Sequence, residues 1–196
     1  SRRPLTKKIL KSIVSMLPTF VSSEYEVKLF TLALSLSFAG FLRLSEFTSV
    51  SRTDANPPLA KSDLSLLRDK SAVVLRIRRS KTNQSGRPEF LSLDANPAMG
   101  PLCPVSAAAS FFAVRPAASH ALLAHFNGSA LTRNEFQNLL RKATLSLNLT
   151  GKFTSHSIRI GAATEAAAAG SPALTIMKKG RWRSRAFVNY IRLPLL

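Results

Sequence analysis

Apolar positions at Leu5, Ile9, Leu10, Ile13, Val14 and Leu17 recur at helical spacing and Pro18 follows, which predicts an amphipathic helix over 5–17. Ser23 with Glu26 three residues on has capping-box spacing and opens a long apolar helix through about residue 39. Gly40 interrupts that run, and Phe41 to Val50 begins a new turn or helix. Residues 51–62 (SRTDANPPLAKS) are rich in turn formers and read as a loop. From Asp63 the period changes. Residues 72–78 (AVVLRIR) are β-branched with alternating basic positions, which suits a strand with one wet face. Residues 81–88 (KTNQSGRP) carry turn chemistry and 89–93 is a second strand, so 64–93 reads as a small antiparallel sheet. Prolines at 97, 101 and 104 mark a connector, after which helical patterns return at 104–114, 132–147, 155–169, 172–179 and 184–191. Thr132 with Glu135 is a second capping-box pair, and Gly170-Ser171-Pro172 is a helix stop and restart. The alanine-rich stretch 162–169 is a helix former. The fold class expected is mainly α (α+β), helical with one small sheet and no internal repeat.

Composition narrows the class. With 196 residues and 45% hydrophobic positions, the chain suits one globular domain and not a disordered tail. Cys103 is the only cysteine, which excludes an intramolecular disulfide framework and fits a reducing compartment. The longest apolar run, Leu29 to Leu42, is too short for a bilayer and carries serines, and no secretory signal is visible. No membrane role is expected.

Charge changes the picture most. Twenty-eight Lys and Arg against ten Asp and Glu leave a formal charge of +18, which calls for a polyanion, with nucleic acid the leading candidate. Most of the cations fall in three blocks. Residues 1–11 hold Arg2, Arg3, Lys7, Lys8 and Lys11; residues 68–87 hold Arg68, Lys70, Arg76, Arg78, Arg79, Lys81 and Arg87. Residues 178–192 hold Lys178, Lys179, Arg181, Arg183, Arg185 and Arg192, and no carboxylate side chain follows Glu165. If folding brings the blocks onto one surface, each phosphate contact releases counterions and makes binding steeply salt-dependent. Lys7, Lys8, Arg78, Arg79, Lys178, Lys179, Arg183 and Arg185 are the candidate DNA-binding residues.

The chemistry-bearing residues are few. No phosphate-binding G-x-x-x-x-G-K-[ST] loop is present, the three histidines and one cysteine have no zinc spacing, and no acidic cluster suggests a two-metal site. Phosphodiester cleavage by this chain would therefore use its own cations, with no metal or cofactor. Such a reaction needs a hydroxyl nucleophile, two or more fixed cations around the non-bridging oxygens and an acid for the leaving oxygen. Arginine serves best, because its planar fork grips two oxygens and stays protonated. Arg43 lies in GFLRLSEF (40–47), with Glu46 three residues on to orient it. Lys81 lies in the proposed hairpin (RSKTNQSG, 79–86). His156 and Arg159 share a helix face near its N-terminus in SHSIRIGAAT (155–164). Arg181 and Tyr190 lie in the acid-free GRWRSRAFVNYIR (180–192). Alone, each motif has an ordinary structural explanation: an ion pair, a surface lysine, a surface histidine, a packed tyrosine.

Together they resemble the tyrosine recombinase (phage integrase-like) superfamily. Its pattern is an arginine with x-x-E, a hairpin lysine, H-x-x-R, then G-H or G-W, and a tyrosine nine residues after that H or W. Arg43, Lys81, His156 and Arg159 fall in this order, and Tyr190 comes nine after Arg181, which follows Gly180. The wording (FLRLSEF, SKTNQSG, SHSIRIGAATEAAAAG, KGRW, NYIR) looks most like recombinases of eukaryotic DIRS-type and Crypton-type mobile elements or their domesticated relatives. The resemblance implies a catalytic set of Arg43, Lys81, His156, Arg159, Arg181 and Tyr190, with Glu46 bracing Arg43 from behind. Tyr190 would attack a DNA phosphate and form a 3′-phosphotyrosine, the arginines would clamp the phosphate, and Lys81 would protonate the 5′-leaving oxygen. His156 would assist proton transfer. Double-stranded DNA, self-association into dimers or tetramers on it, and an intracellular, nuclear location are implied in the same way.

Two departures stand out. Arg181 occupies the usual His or Trp position, where it can donate to a phosphate oxygen but cannot accept a proton, with Trp182 beside it. Only six residues follow Tyr190, and the family's separate N-terminal core-binding domain is not in this chain, which reads as a single catalytic domain over 1–196. The alternatives are a domesticated, catalytically inactive DNA-binding module of the same fold and a basic RNA-binding protein.

Overall fold

A computed structural model describes residues 1–81 and 85–193. The elements are α1 (Lys7–Phe20), α2 (Glu24–Ala39), α3 (Leu44–Phe47), β1 (Leu64–Leu66), β2 (Ala72–Ile77), β3 (Glu89–Asp94), α4 (Pro104–Phe112), α5 (Arg133–Ser146), α6 (Ser155–Ala168) and α7 (Ala173–Gly180). Short 3₁₀ helices cover Lys61–Asp63, Pro97–Leu102 and Arg185–Tyr190. The molecule is mainly helical with one small antiparallel sheet, as the periodicity predicts. Its strand order is β1-β2-β3, with Leu64 opposite Leu75 and Val73 opposite Leu93. The tip of the expected hairpin turn, 82–84, lies outside the described residues.

Helix α2 is the centre of the core. Every residue from Leu29 to Phe38 is buried, which is why its sequence is apolar all round. Its polar members are satisfied locally: Ser35 donates to the Leu102 carbonyl (2.7 Å) and Thr31 to that of Val27 (2.7 Å). Around it lie α1, α4, α6 and the 97–102 helix. Gly161 on α6 is required by packing, since a Cβ there would lie 1.9 Å from the Leu5 carbonyl oxygen of the crossing N-terminal segment.

Four local features differ from expectation. Helix α1 runs through Pro18 and ends two residues later at Phe20. At the head of α1, Leu5 leaves the helix to donate its N–H to the Ser157 carbonyl (2.9 Å), and Thr6 caps Ile9 instead. The Ser23–Glu26 box is half made. Ser23 Oγ accepts the Glu26 N–H (3.2 Å), but the Glu26 carboxylate lies 2.6 Å from His125 Nδ1. His125 Nε2 lies 3.0 Å from Glu135, which completes the Thr132 capping box and pairs with Arg52. One imidazole thus ties the head of α2 to the head of α5. The pattern at 184–191 forms a 3₁₀ helix and not an α-helix.

Candidate active site

Four chain segments meet where α2 ends. Gly40 caps α2 and Phe41 takes a left-handed φ of 51°, which turns the chain so that Arg43 becomes the N-cap of α3. Glu46 at the third position of α3 bonds back to the Arg43 N–H (2.8 Å) and to Arg43 Nη1 (3.1 Å). Its other partner is Arg181 Nη2, so one buried carboxylate, 2% exposed, answers two arginines. Arg43 Nη1 also donates to Ser80 Oγ (3.3 Å), which moors the end of the β2–β3 hairpin. Lys81 follows Ser80, with its side chain exposed.

Arg159 is the largest fully buried side chain at 2% exposure. Among the described residues no carboxylate lies within ion-pair distance of it. Nη1 donates to the Phe41 carbonyl and Nη2 to that of Gly180 (3.3 Å). Its Cζ lies 4.6 Å from the Trp182 ring centroid and 5.5 Å from that of Tyr190. Burial, then the charge of Arg43, lowers its pKa to about 10, so the guanidinium remains a cation at neutral pH.

Tyr190 closes the site from the 185–190 helix. Its ring stands 4.8 Å from His156 and 4.8 Å from Trp182, centroid to centroid. Thr164 on α6 pins this segment, donating to the Tyr190 carbonyl (3.2 Å) and accepting the Arg192 N–H (3.0 Å). The His156 pKa is pushed below 6.5, first by burial and then by Arg2, Arg159, Arg192 and Arg43. Its imidazole is neutral at physiological pH and able to take a proton.

Arg181 is directed at Glu46, which its Nη2 contacts. Its φ is 54°, its Nη1 donates to the Gly40 carbonyl (3.0 Å), and its Nε lies 3.7 Å from the Glu89 carboxylate. Burial lowers its pKa, and Glu46 opposes that. At 8% exposure it braces the arginine–carboxylate pair from within. Its neighbour Trp182, partly exposed, is the one that stands beside the Tyr190 ring and the Arg159 guanidinium.

The candidate DNA-binding residues divide. Lys7, Lys8, Arg79, Lys178, Lys179, Arg183 and Arg185 are exposed. Lys7 lies 3.5 Å from Glu165, and Arg78 lies 2.9 Å from the buried carboxylate of Asp63, which also holds Arg76 (2.7 Å). Sequence reasoning missed Ser80 and Thr164 as supports, since neither carries a local signal. Among the described residues no group of three or more His, Cys, Asp or Glu side chains is placed to hold a metal ion. No helix of the described residues is long and apolar enough to cross a membrane.

Solved structures of similar fold carry sequences only distantly like this one. The XerH site-specific recombinase bound to a palindromic difH substrate, a post-cleavage complex, superposes with a TM-score of 0.69 at 14% identity over 97% of this chain and 49% of that one. The XerA recombinase gives 0.70 at 16% identity, covering 98% and 61%. The Tn1549 transposon integrase in complex with a circular intermediate DNA gives 0.67 at 15%, covering 100% and 63%. The chain therefore spans about half to just under two thirds of the length of these proteins. No curated protein matches the sequence significantly. The phage integrase family profile matches residues 3–192, the whole extent over which the fold and the site just described are built, and the chain belongs to that family of tyrosine recombinases.

Proposed function

We propose that this chain is the catalytic domain of a DNA-breaking and rejoining tyrosine recombinase that works through a 3′-phosphotyrosine. The observation that carries the reading is the meeting of Tyr190 with a neutral His156 and the buried cation of Arg159. Arg43, held by Glu46, borders the same site.

In this scheme Tyr190 Oη attacks the phosphorus and its proton passes to His156. Arg43 and Arg159 stabilise the charge gathering on the non-bridging oxygens. The P–O5′ bond breaks, and Lys81 supplies the proton to the departing 5′-oxygen. The phosphotyrosine keeps the bond energy, so attack by a 5′-hydroxyl reverses the steps and joins strands without a cofactor. Arg181 acts at one remove, by holding Glu46 and the turn that carries Trp182.

Double-stranded DNA is the proposed partner, tracked by the exposed Lys8, Arg79, Lys178, Lys179, Arg183 and Arg185. Self-association on DNA is proposed with it; a λ integrase dimer bound to a core site is among the structures of similar fold. The motif wording we read as that of eukaryotic DIRS-type or Crypton-type mobile elements, which would put the protein in the nucleus.

The test is a nicked suicide duplex incubated with the protein and resolved on a denaturing gel. A covalent adduct that disappears in Tyr190→Phe supports the scheme. An adduct that persists in Tyr190→Phe moves the nucleophile elsewhere, and DNA binding without any adduct leaves a binding module of the same fold.

A further inference from the structure

The turn Gly180-Arg181-Trp182 sends its side chains in opposite directions. Arg181, left-handed at φ 54°, points to Glu46. Trp182 folds back over the residue two before it, and its backbone N–H donates to the Met177 carbonyl (2.9 Å). Gly180 is what permits this, because a Cβ there would lie 1.7 Å from the indole Cζ3. The indole then meets four partners: the Arg159 guanidinium at 4.6 Å, the Tyr190 ring at 4.8 Å, and Phe41 and Phe187 each at 6.2 Å.

Arg159 is a buried cation with no carboxylate in ion-pair reach among the described residues, so two carbonyls and an aromatic face are what orient it. A planar ring shared between that cation and the tyrosine fixes their relative placement. We propose that Trp182 is a positioning residue, which holds the Arg159 guanidinium and the Tyr190 ring, tilted 56° to the indole, in one contact cluster so that both address the same phosphate, with Gly180 as the space that admits it. This rests on the cleavage scheme above and adds to it a residue outside the motif spacing, one position past the usual His or Trp.

The experiment measures single-turnover adduct formation and DNA affinity in parallel. Trp182→Ala lowers the adduct rate at saturating DNA about ten- to a hundredfold and affinity by less than about threefold, since the ring contacts and the orientation are lost while phosphate-tracking cations remain. Trp182→Phe keeps a ring over the cation and recovers the rate to within about fivefold. Gly180→Ala expels the indole and reproduces the Trp182→Ala loss, and adding Gly180→Ala to Trp182→Ala costs nothing further. Trp182 is the only tryptophan, so its emission reports this contact cluster without DNA or activity, and Arg159→Lys shifts it. Unchanged emission in Arg159→Lys overturns the cluster whether or not the protein cleaves DNA. A wild-type rate in Trp182→Ala, with the adduct still on Tyr190, overturns the positioning role and leaves the cleavage scheme standing. Strictly additive losses for Gly180→Ala and Trp182→Ala overturn it as well.

Discussion

Glu46 and Arg181 form an ion pair buried on both sides, with side chains 1% and 5% exposed, and the same carboxylate holds Arg43. Removing one partner of such a pair strands a charge, at a cost of about 3–5 kcal/mol. Glu46→Ala is expected to destabilise the fold by that order in urea melts. Glu46→Gln, which keeps the shape and an acceptor but not the charge, is expected to be destabilised less than Glu46→Ala and to lower adduct formation, because Arg43 loses a charged brace. Equal stability of Glu46→Ala and wild type would refute the account of this pair.

Arg43 and Arg159 are assigned to the developing charge and not to holding the duplex. Alanine at either should reduce cleavage about 10²–10³-fold, the scale for one lost charge-stabilising donor. Affinity for DNA should fall far less, since the salt-dependent term is proposed to rest on the exposed cations elsewhere. Parallel losses in rate and in affinity, measured on the same duplex, would reduce both residues to binding.

In the proposed scheme His156 gives adduct formation a pH dependence with a definite sign. Burial and surrounding arginines lower its pKa from 6.5, so the neutral, proton-accepting form persists below that pH. Adduct formation should fall only as pH drops through this lowered value and stay flat on the neutral side. Arg192→Gln removes one of the depressing charges and should move the acid limb upward. A midpoint near or above 7 in the wild type would contradict the assignment.

His125 has the opposite shift. The Glu26 bond is the largest influence raising its pKa above 6.5, burial opposes, and Glu135 adds to the rise. Its charged form is the one the fold favours. That contribution is complete below 6.5 and is lost as pH rises through the higher folded value. Glu135 is shifted down from 4.5 by the Thr132 N–H, His125 and Arg52 acting against burial, so its share is lost as pH falls below 4.5. Thermal melts across pH should show a decline on the alkaline side that His125→Ala abolishes.

Much of the architecture was legible along the chain. The apolar run of α2, the β-branched alternation of β2, the Thr132–Glu135 box and the Gly170 stop each reflect bonding or burial within a few residues, and each appears where the pattern predicts. Local signals misled where a distant partner intervened. Glu26 abandons its own capping box for His125, 99 residues away, and Leu5 leaves α1 to bond Ser157. Pro18 does not end α1 at once, and the helix closes two residues on, at Phe20.

The sequence by itself determined the helical class, the small sheet, the basic surface and the order of the motifs around Arg43, Lys81, His156, Arg159 and Tyr190. These follow from periodicity, charge count and spacing, which are properties of one dimension. Side-chain direction is not. Arg181 and Trp182 are neighbours, and nothing in their order says which one turns toward Tyr190. That depended on a left-handed turn, a glycine without a Cβ, and a buried Glu46 from a segment 135 residues away that captures the arginine and leaves the indole to the site.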